Sequence, residues 1–111
     1  MPITKIRKRD GRLVDFNPER IRNAIHRAFV AVKLENGEKA EKLTQQVVSL
    51  LEERFREKIP SVEDAQDAVI EVLRLNGFEE VAAEYEAYRR RKEEIRRLRV
   101  QLGIEEPKLT V

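Results

Sequence analysis

Four stretches of this chain repeat apolar residues every three or four positions, and each is bounded by residues that start or stop a helix. Such spacing places the apolar side chains on one face of a helix, which must be buried against another element. A chain of 111 residues provides one modest core, so the helices are expected to share it. We predict a four-helix bundle with helices over about residues 18–32, 39–58, 62–75 and 79–102.

Individual residues define the helix ends and the buried faces. Asn17 suits the N-cap position of the first helix, and Pro18 suits the first helical position, where the missing N–H costs nothing. Ser61 is followed three positions later by Asp64, which is close to the capping-box pattern. The fourth helix has a long apolar stripe that we expect to face the core: Val81, Ala82, Tyr85, Tyr88, Ile95 and Leu102.

The sequence KRDGR, residues 8–12, lies between two short β-prone stretches and predicts a hairpin. A two-residue Asp10-Gly11 loop would mix apolar and charged residues on both faces. A three-residue loop with Gly11 in the left-handed conformation pairs Ile6 with Val14 and gives one coherent buried face. That face carries Thr4, Ile6, Lys8, Arg12, Val14 and Phe16. Lys8 then lies at the edge of an apolar surface, where its charge needs a partner.

The predicted fold class is α+β and mostly α, with the bundle capped by this small hairpin. The tail KLTV at residues 108–111 could extend the hairpin to a three-stranded sheet. We expect one domain over residues 1–103, with residues 104–111 as a linker or as that third strand.

The charges of the chain are segregated. Residues 1–12 hold five basic residues and one acid, and residues 89–99 hold seven basic residues and two acids. The segment between them, residues 13–88, holds ten basic residues and sixteen acids. If the fold brings the two basic ends together, they form a pocket for a polyanion.

Composition narrows the protein class further. The chain has no cysteine, which excludes a disulfide framework and a zinc ribbon and fits a reducing compartment. No apolar run is long enough for a membrane span, and a cytoplasmic protein is expected. A charged fraction of 40% with no tryptophan is a weak indication of a thermophilic source.

Three segments of the chain resemble the ATP-cone domain in order and spacing. IRKRDGRLVDFNPERIRNAI, residues 6–25, is similar to its opening, where a Val/Ile-x-Lys-Arg-Asp-Gly hairpin leads to a helix capped by Asn or Asp. PSVEDAQDAVIEVL, residues 60–73, resembles its third helix, and VAAEYEAYRRRKEEIR, residues 81–96, resembles its last. The resemblance covers residues 3 to about 97.

This resemblance implies a regulatory domain rather than an enzyme. ATP-cones bind ATP or dATP with Mg²⁺ and set the overall activity of ribonucleotide reductases, so this chain is expected to be a piece of a longer reductase. The implied partners are the rest of that enzyme or a second cone domain in a ligand-dependent oligomer, with no membrane and no separate metal site in the chain.

The family's nucleotide-contacting positions correspond to eight residues here, and Arg89 is added to them because it lies one turn before Lys92. Val14 stands where some members have glutamate, and the positions of Val62 and Gln66 hold threonine and histidine in other members. The hairpin and helix cations are expected to bind phosphate, while the third-helix residues are expected near adenine. The nine residues are Ile6, Lys8, Arg9, Asn17, Arg20, Val62, Gln66, Arg89 and Lys92.

Two other functions use the same basic clusters. The first is a nucleic-acid-binding or transcription-regulatory helical module, although its strands lack the exposed aromatic residues of a base-stacking platform. The second is a plain helical interaction domain in which the charges only confer solubility. RRRKEEIRRLR, residues 89–99, is by itself typical of an exposed helix face with Arg–Glu pairs, so only Arg89 and Lys92 were selected from it.

Overall fold

The computed structural model describes residues 2–34 and 37–103. These residues form two short strands followed by four helices, which confirms the predicted mostly-α class. The strands are β1 (Lys5–Arg7) and β2 (Leu13–Asp15). The helices are α1 (Pro18–Ala31), α2 (Gly37–Arg54), α3 (Val62–Leu75) and α4 (Glu79–Gln101). The suggested third strand, at residues 104–111, lies outside the described residues.

The four helices close into a ring around one core. Each helix packs against its neighbours in sequence, and α1 also packs against α4. The largest fully buried side chains come from all four helices, so the core is shared as the apolar stripes predicted. Those within the helices are Phe29, Ile25, Leu51, Leu73, Val47, Val69 and Val81.

The hairpin has the predicted register. Ile6 pairs with Val14, and the Lys8 N–H donates to the Arg12 carbonyl at 2.9 Å, which leaves three residues in the loop. Gly11 has φ +91°, a conformation that glycine adopts without steric cost. The apolar face of the hairpin packs against the bundle core through Ile6 and Phe16.

A second attachment of the hairpin was not predicted from the sequence. The Arg7 N–H donates to the Pro60 carbonyl at 2.9 Å, so β1 is joined to the residues that precede α3. Pro60 is itself fully buried. The hairpin is therefore held over the start of α3, which positions the hairpin loop beside that helix.

Both predicted helix caps are present. The Asn17 side chain accepts a hydrogen bond from the Glu19 N–H at 3.0 Å. Ser61 and Asp64 form a reciprocal capping box, with hydrogen bonds of 3.0 and 2.9 Å. These caps satisfy backbone N–H groups at the starts of α1 and α3, so both helices begin where the sequence indicated.

Two predicted details are wrong. Helix α2 ends at Arg54 rather than near residue 58, because the chain turns over residues 55–57 before it reaches Pro60. Ile95 and Leu102 do not face the core: they are 50% and 71% exposed. Helix α4 is 23 residues long whereas α1 and α3 have 14 each, so its second half extends past the helices it packs against.

Candidate functional site

A cleft of about 860 Å³ lies between the hairpin, α1, the first half of α3 and the middle of α4. Its volume is within the usual range for small-molecule sites. All nine residues selected from the sequence line it: Ile6, Lys8, Arg9, Asn17, Arg20, Val62, Gln66, Arg89 and Lys92. Four separate elements supply them, so the fold brings together residues that are up to 86 positions apart, from Ile6 to Lys92.

The hairpin register determines which of its cations reach the cleft. Side chains alternate between the two faces of a strand. Ile6 and Lys8 therefore lie on the half-buried face and line the cleft, while Arg7 between them is exposed on the other face. The Arg7 guanidinium instead donates to the Gly11 carbonyl at 3.1 Å. Lys8 and Arg7 are thus neighbours in sequence with different surroundings.

The start of α1 forms another part of the wall. Asn17 uses its side-chain oxygen to cap the helix, and Arg20 lies one turn further along. The N-terminus of a helix carries partial positive charge from its unpaired N–H groups. Negative charge in this part of the cleft is therefore favoured by both the backbone and the Arg20 side chain.

The cleft is strongly cationic. Seven lysine and arginine side chains of the described residues line it: Lys8, Arg9, Arg20, Arg27, Arg89, Lys92 and Arg96. Within residues 2–34 and 37–103, the only carboxylate in the lining is that of Asp15, whose oxygen lies 2.7 Å from the Lys5 ammonium. That hydrogen bond lowers the pKa of Asp15, whose charge is thus matched on the outer face of the hairpin.

Two of the seven cations are held by carboxylates from α3 and α4. Arg9 Nη1 lies 2.8 Å from a Glu63 carboxylate oxygen and 3.7 Å from one of Glu93. Arg89 Nη1 lies 2.8 Å from Asp67. Among the described residues, the other five form no ion pair, so their mutual repulsion is unrelieved without an anion.

Gln66 of α3, which lines the cleft, carries a buried polar atom without a partner. The side-chain oxygen of Gln66 is inaccessible to solvent and has no hydrogen-bond partner. A buried acceptor without a donor costs about 1–3 kcal/mol. A ligand that places an N–H group against Gln66 would remove that cost.

Tyrosine side chains form the α4 part of the wall. Tyr85 is 8% exposed, and burial raises its pKa to about 12, so its hydroxyl stays neutral over the physiological range. The ring of Tyr88 is contacted by three cations, Arg27, Arg91 and Lys92, at 5.7–5.9 Å from its centre. The sequence suggested a core role for both tyrosines, and the structure places both in the cleft lining as well.

Arg27 and Arg96 line the cleft although neither was selected from the sequence. Arg96 follows Arg89 and Lys92 at intervals of three and four residues, which is the spacing of one helix face. That spacing could have identified Arg96. Arg27 carries no comparable signal, since its place in the cleft depends on how α1 packs against α4.

In the described part of the chain, no group of three or more His, Cys, Asp or Glu side chains could hold a metal ion. Within residues 2–34 and 37–103, no helix is long and apolar enough to cross a membrane.

The sequence of this chain is similar to that of a known domain family and to parts of two longer proteins. Residues 4–94 match the family model of the ATP cone domain. The vitamin B12-dependent ribonucleoside-diphosphate reductase of Thermoplasma acidophilum is 36% identical over 115 aligned positions, which cover 98% of this chain and 15% of that protein. The reductase of the same name from Mycobacterium tuberculosis is 35% identical over 100 positions, covering 90% of this chain and 14% of the relative.

This chain therefore spans about one seventh of the length of these relatives. The family model, in contrast, matches most of this chain. The match extends from the hairpin to the second half of α4 and includes all nine residues predicted for the site. The chain belongs to the ATP cone domain family.

Proposed function

We propose that the cleft binds ATP or dATP together with Mg²⁺, and that the bound nucleotide regulates a ribonucleotide reductase of which this chain is part. Membership of the ATP cone family supports a nucleotide-binding regulatory role. The observation that most directly supports the ligand is that five cations without ion pairs converge on one cleft. A triphosphate supplies several negative charges in one ligand and accepts hydrogen bonds from both lysine and arginine.

The other end of the cleft has the chemistry of an adenine site. Val62, Ala65 and Val69 supply apolar surface, and the unpartnered Gln66 oxygen is the acceptor between them. The amino group of adenine is a donor, whereas guanine has a carbonyl acceptor at the equivalent position. At this position the adenine amino group relieves the cost of the buried Gln66 oxygen, and the guanine carbonyl does not.

Mg²⁺ would enter with the phosphates. This ion usually keeps several waters and is bound by phosphate oxygens plus one or two carboxylates, not by a dedicated protein cage. Glu93, whose carboxylate lies 3.7 Å from Arg9 of the hairpin loop, could supply one ligand. The residues present fit a metal–nucleotide complex held mainly through its phosphates.

The domain is proposed to sense the nucleotide and not to consume it. A sensor acts by binding more tightly to one arrangement of the protein than to another. The surfaces beside the phosphates are the hairpin loop and α4, so we propose that they contact the rest of the reductase or a second cone domain. We place the protein in the cytoplasm, in agreement with its lack of cysteine.

Thermal unfolding of the 111-residue chain with and without Mg²⁺-ATP tests the binding proposal. Ligand at about 100 times its Kd stabilises a protein by about 2.7 kcal/mol. For a domain of this size, the midpoint is expected to rise on the order of 10 °C. Mg²⁺-GTP at the same concentration is the control for base recognition, and it should give a smaller rise. No shift at millimolar ATP would refute nucleotide binding.

The regulatory part needs a separate measurement. Size-exclusion chromatography of the empty, ATP-bound and dATP-bound chain compares their oligomeric states. Different elution volumes would support a switch within the domain itself. Identical elution of all three would show that any switch requires other parts of the enzyme.

A further inference from the structure

Arg96 on α4 has a buried guanidinium nitrogen with no hydrogen-bond partner. Its Nη1 atom is shielded from solvent, and other atoms of the Arg96 residue line the cleft. In the described part of the chain, the other buried side-chain atom without a partner is the Gln66 oxygen in the same cleft. Arginine is always charged, and a buried N–H without an acceptor destabilises the protein. The structure thus contains a cation without an anion.

Nearby carboxylates do not satisfy this guanidinium. Glu93, three residues before Arg96, has its carboxylate 3.7 Å from Arg9. Arg89, on the same face of α4, is paired with Asp67. A purely structural arginine would be expected to show such a partner, and no ion pair of Arg96 occurs among the described residues.

The position of Arg96 along α4 relates it to the outer end of a nucleotide. Arg89 contacts Asp67, the residue after Gln66, and therefore lies near the proposed adenine end. Lys92 and Arg96 follow on the same face, about 4.5 and 10 Å further along the helix axis at 1.5 Å per residue. Glu93 contacts Arg9 in the hairpin loop, so this direction leads toward the loop. Of the α4 cations in the cleft, Arg96 is therefore the farthest along the helix axis from Arg89.

We infer that Arg96 binds the terminal phosphate of a nucleoside triphosphate and gives the site its preference for triphosphates over diphosphates. The inference rests on the proposed nucleotide-binding function and adds to it a residue that determines phosphate number. The planar guanidinium can donate two parallel hydrogen bonds to one phosphate group. A diphosphate in the same position leaves Arg96 without an acceptor, as in the structure described here.

Isothermal titration calorimetry with Mg²⁺-ATP and Mg²⁺-ADP tests this on the parent chain and on two variants. Arg96→Gln removes the positive charge and the planar guanidinium that can donate two parallel hydrogen bonds to one phosphate. Arg97→Gln is the matched control, because Arg97 is exposed, lies outside the cleft lining, and changes the net charge of the same helix equally. Glutamine has a helix propensity close to that of arginine, so α4 is retained in both variants.

The expected result is a change in the ratio of the two dissociation constants. The parent should bind ATP at least tenfold more tightly than ADP. Arg96→Gln should weaken ATP binding by about 10- to 150-fold, the worth of hydrogen bonds to a charged group, and ADP binding by less than about threefold. Arg97→Gln should keep the parental ratio.

Each other result has a definite meaning. If the parent binds neither nucleotide, the proposed function fails. If the parent binds ATP but Arg96→Gln leaves its affinity unchanged, or weakens ATP and ADP equally, the function stands and the role of Arg96 is refuted. If Arg96→Gln does not unfold cooperatively and is therefore not properly folded, Arg96→Lys takes its place in the titrations. A smaller preference for ATP over ADP than in the parent supports the inference, and an unchanged preference refutes it.

Discussion

Replacing Lys8 with methionine separates the ligand-binding role of this lysine from its structural one. The Lys8 backbone closes the hairpin through two hydrogen bonds of 2.9 Å, one to the Arg12 carbonyl and one from the Gly11 N–H. These do not involve the side chain, so the hairpin is retained in the variant. Methionine has a similar length, no charge, and an apolar stem for the half-buried position.

The empty variant should be as stable as the parent or slightly more stable. The Lys8 ammonium shares the cleft with Arg20, Lys92 and Arg96, none of which has an ion-pair partner among the described residues. Two unit charges about 8 Å apart in water repel by about 0.5 kcal/mol before screening by salt. Removing one charge therefore relieves repulsion of this order.

Nucleotide binding, unlike the stability of the empty domain, should be weakened by Lys8→Met. A hydrogen bond to a charged group is worth about 1.5–3 kcal/mol, which corresponds to a Kd for Mg²⁺-ATP that is about 10- to 150-fold weaker. Calorimetry measures this Kd, and urea denaturation without ligand measures the stability of the empty domain. Weaker binding combined with unchanged or higher stability is the expected result.

Arg7→Met is the matched control for this experiment. It removes the same charge from the adjacent residue, but Arg7 is exposed on the other face of the hairpin and does not line the cleft. ATP affinity should stay within about threefold of the parent, because a distant exposed charge is screened by salt. If Lys8→Met binds ATP like the parent, or if Arg7→Met loses binding, the phosphate site lies elsewhere.

Three further predictions concern the neighbours of the site. Glu63→Gln removes the ion-pair partner of Arg9, so Arg9 no longer has to leave a carboxylate in order to bind phosphate. Because such a half-exposed ion pair is worth about 0.2–1 kcal/mol, calorimetry should show ATP binding about 1.5- to 5-fold more tightly. Glu57→Gln is the control, because Glu57 is exposed and lies outside the cleft lining. An equal gain in ATP affinity in this variant would show that the effect comes from net charge and not from Arg9. Tyr85 has its pKa raised by burial from 10.0 to about 12, so its contribution to stability is complete below pH 10 and is lost as the pH rises through about 12. Urea denaturation between pH 9 and 12 should show the parent losing stability relative to Tyr85→Phe, whereas parallel curves would contradict the assigned pKa. Ser61→Ala removes the N-cap of α3 and should lower the free energy of unfolding by about 1 kcal/mol, and an unchanged value would show that the capping box contributes little.

The local structure of this chain could be predicted because it depends on residues close together in sequence. The Asn17 cap, the capping box at Ser61 and the three-residue loop with Gly11 all follow from such short-range contacts. The hairpin register also follows, since a shift by one residue would exchange its apolar and charged faces. In contrast, the exposure of Ile95 depends on the lengths of the helices around α4, which its own periodicity does not contain.

In the site, too, some features could be predicted from the sequence and others depend on how the helices pack. The sequence contains two basic clusters, and the family resemblance together with helix spacing predicted nine residues of a nucleotide site. These nine residues line one cleft. Which charges are neutralised depends on the tertiary structure: Arg9 and Arg89 contact carboxylates, whereas Arg96 is half-buried and has one buried nitrogen without a partner. The physical reason is that ion pairing and burial depend on distances between different helices, and a helix sequence specifies only which of its own residues share a face.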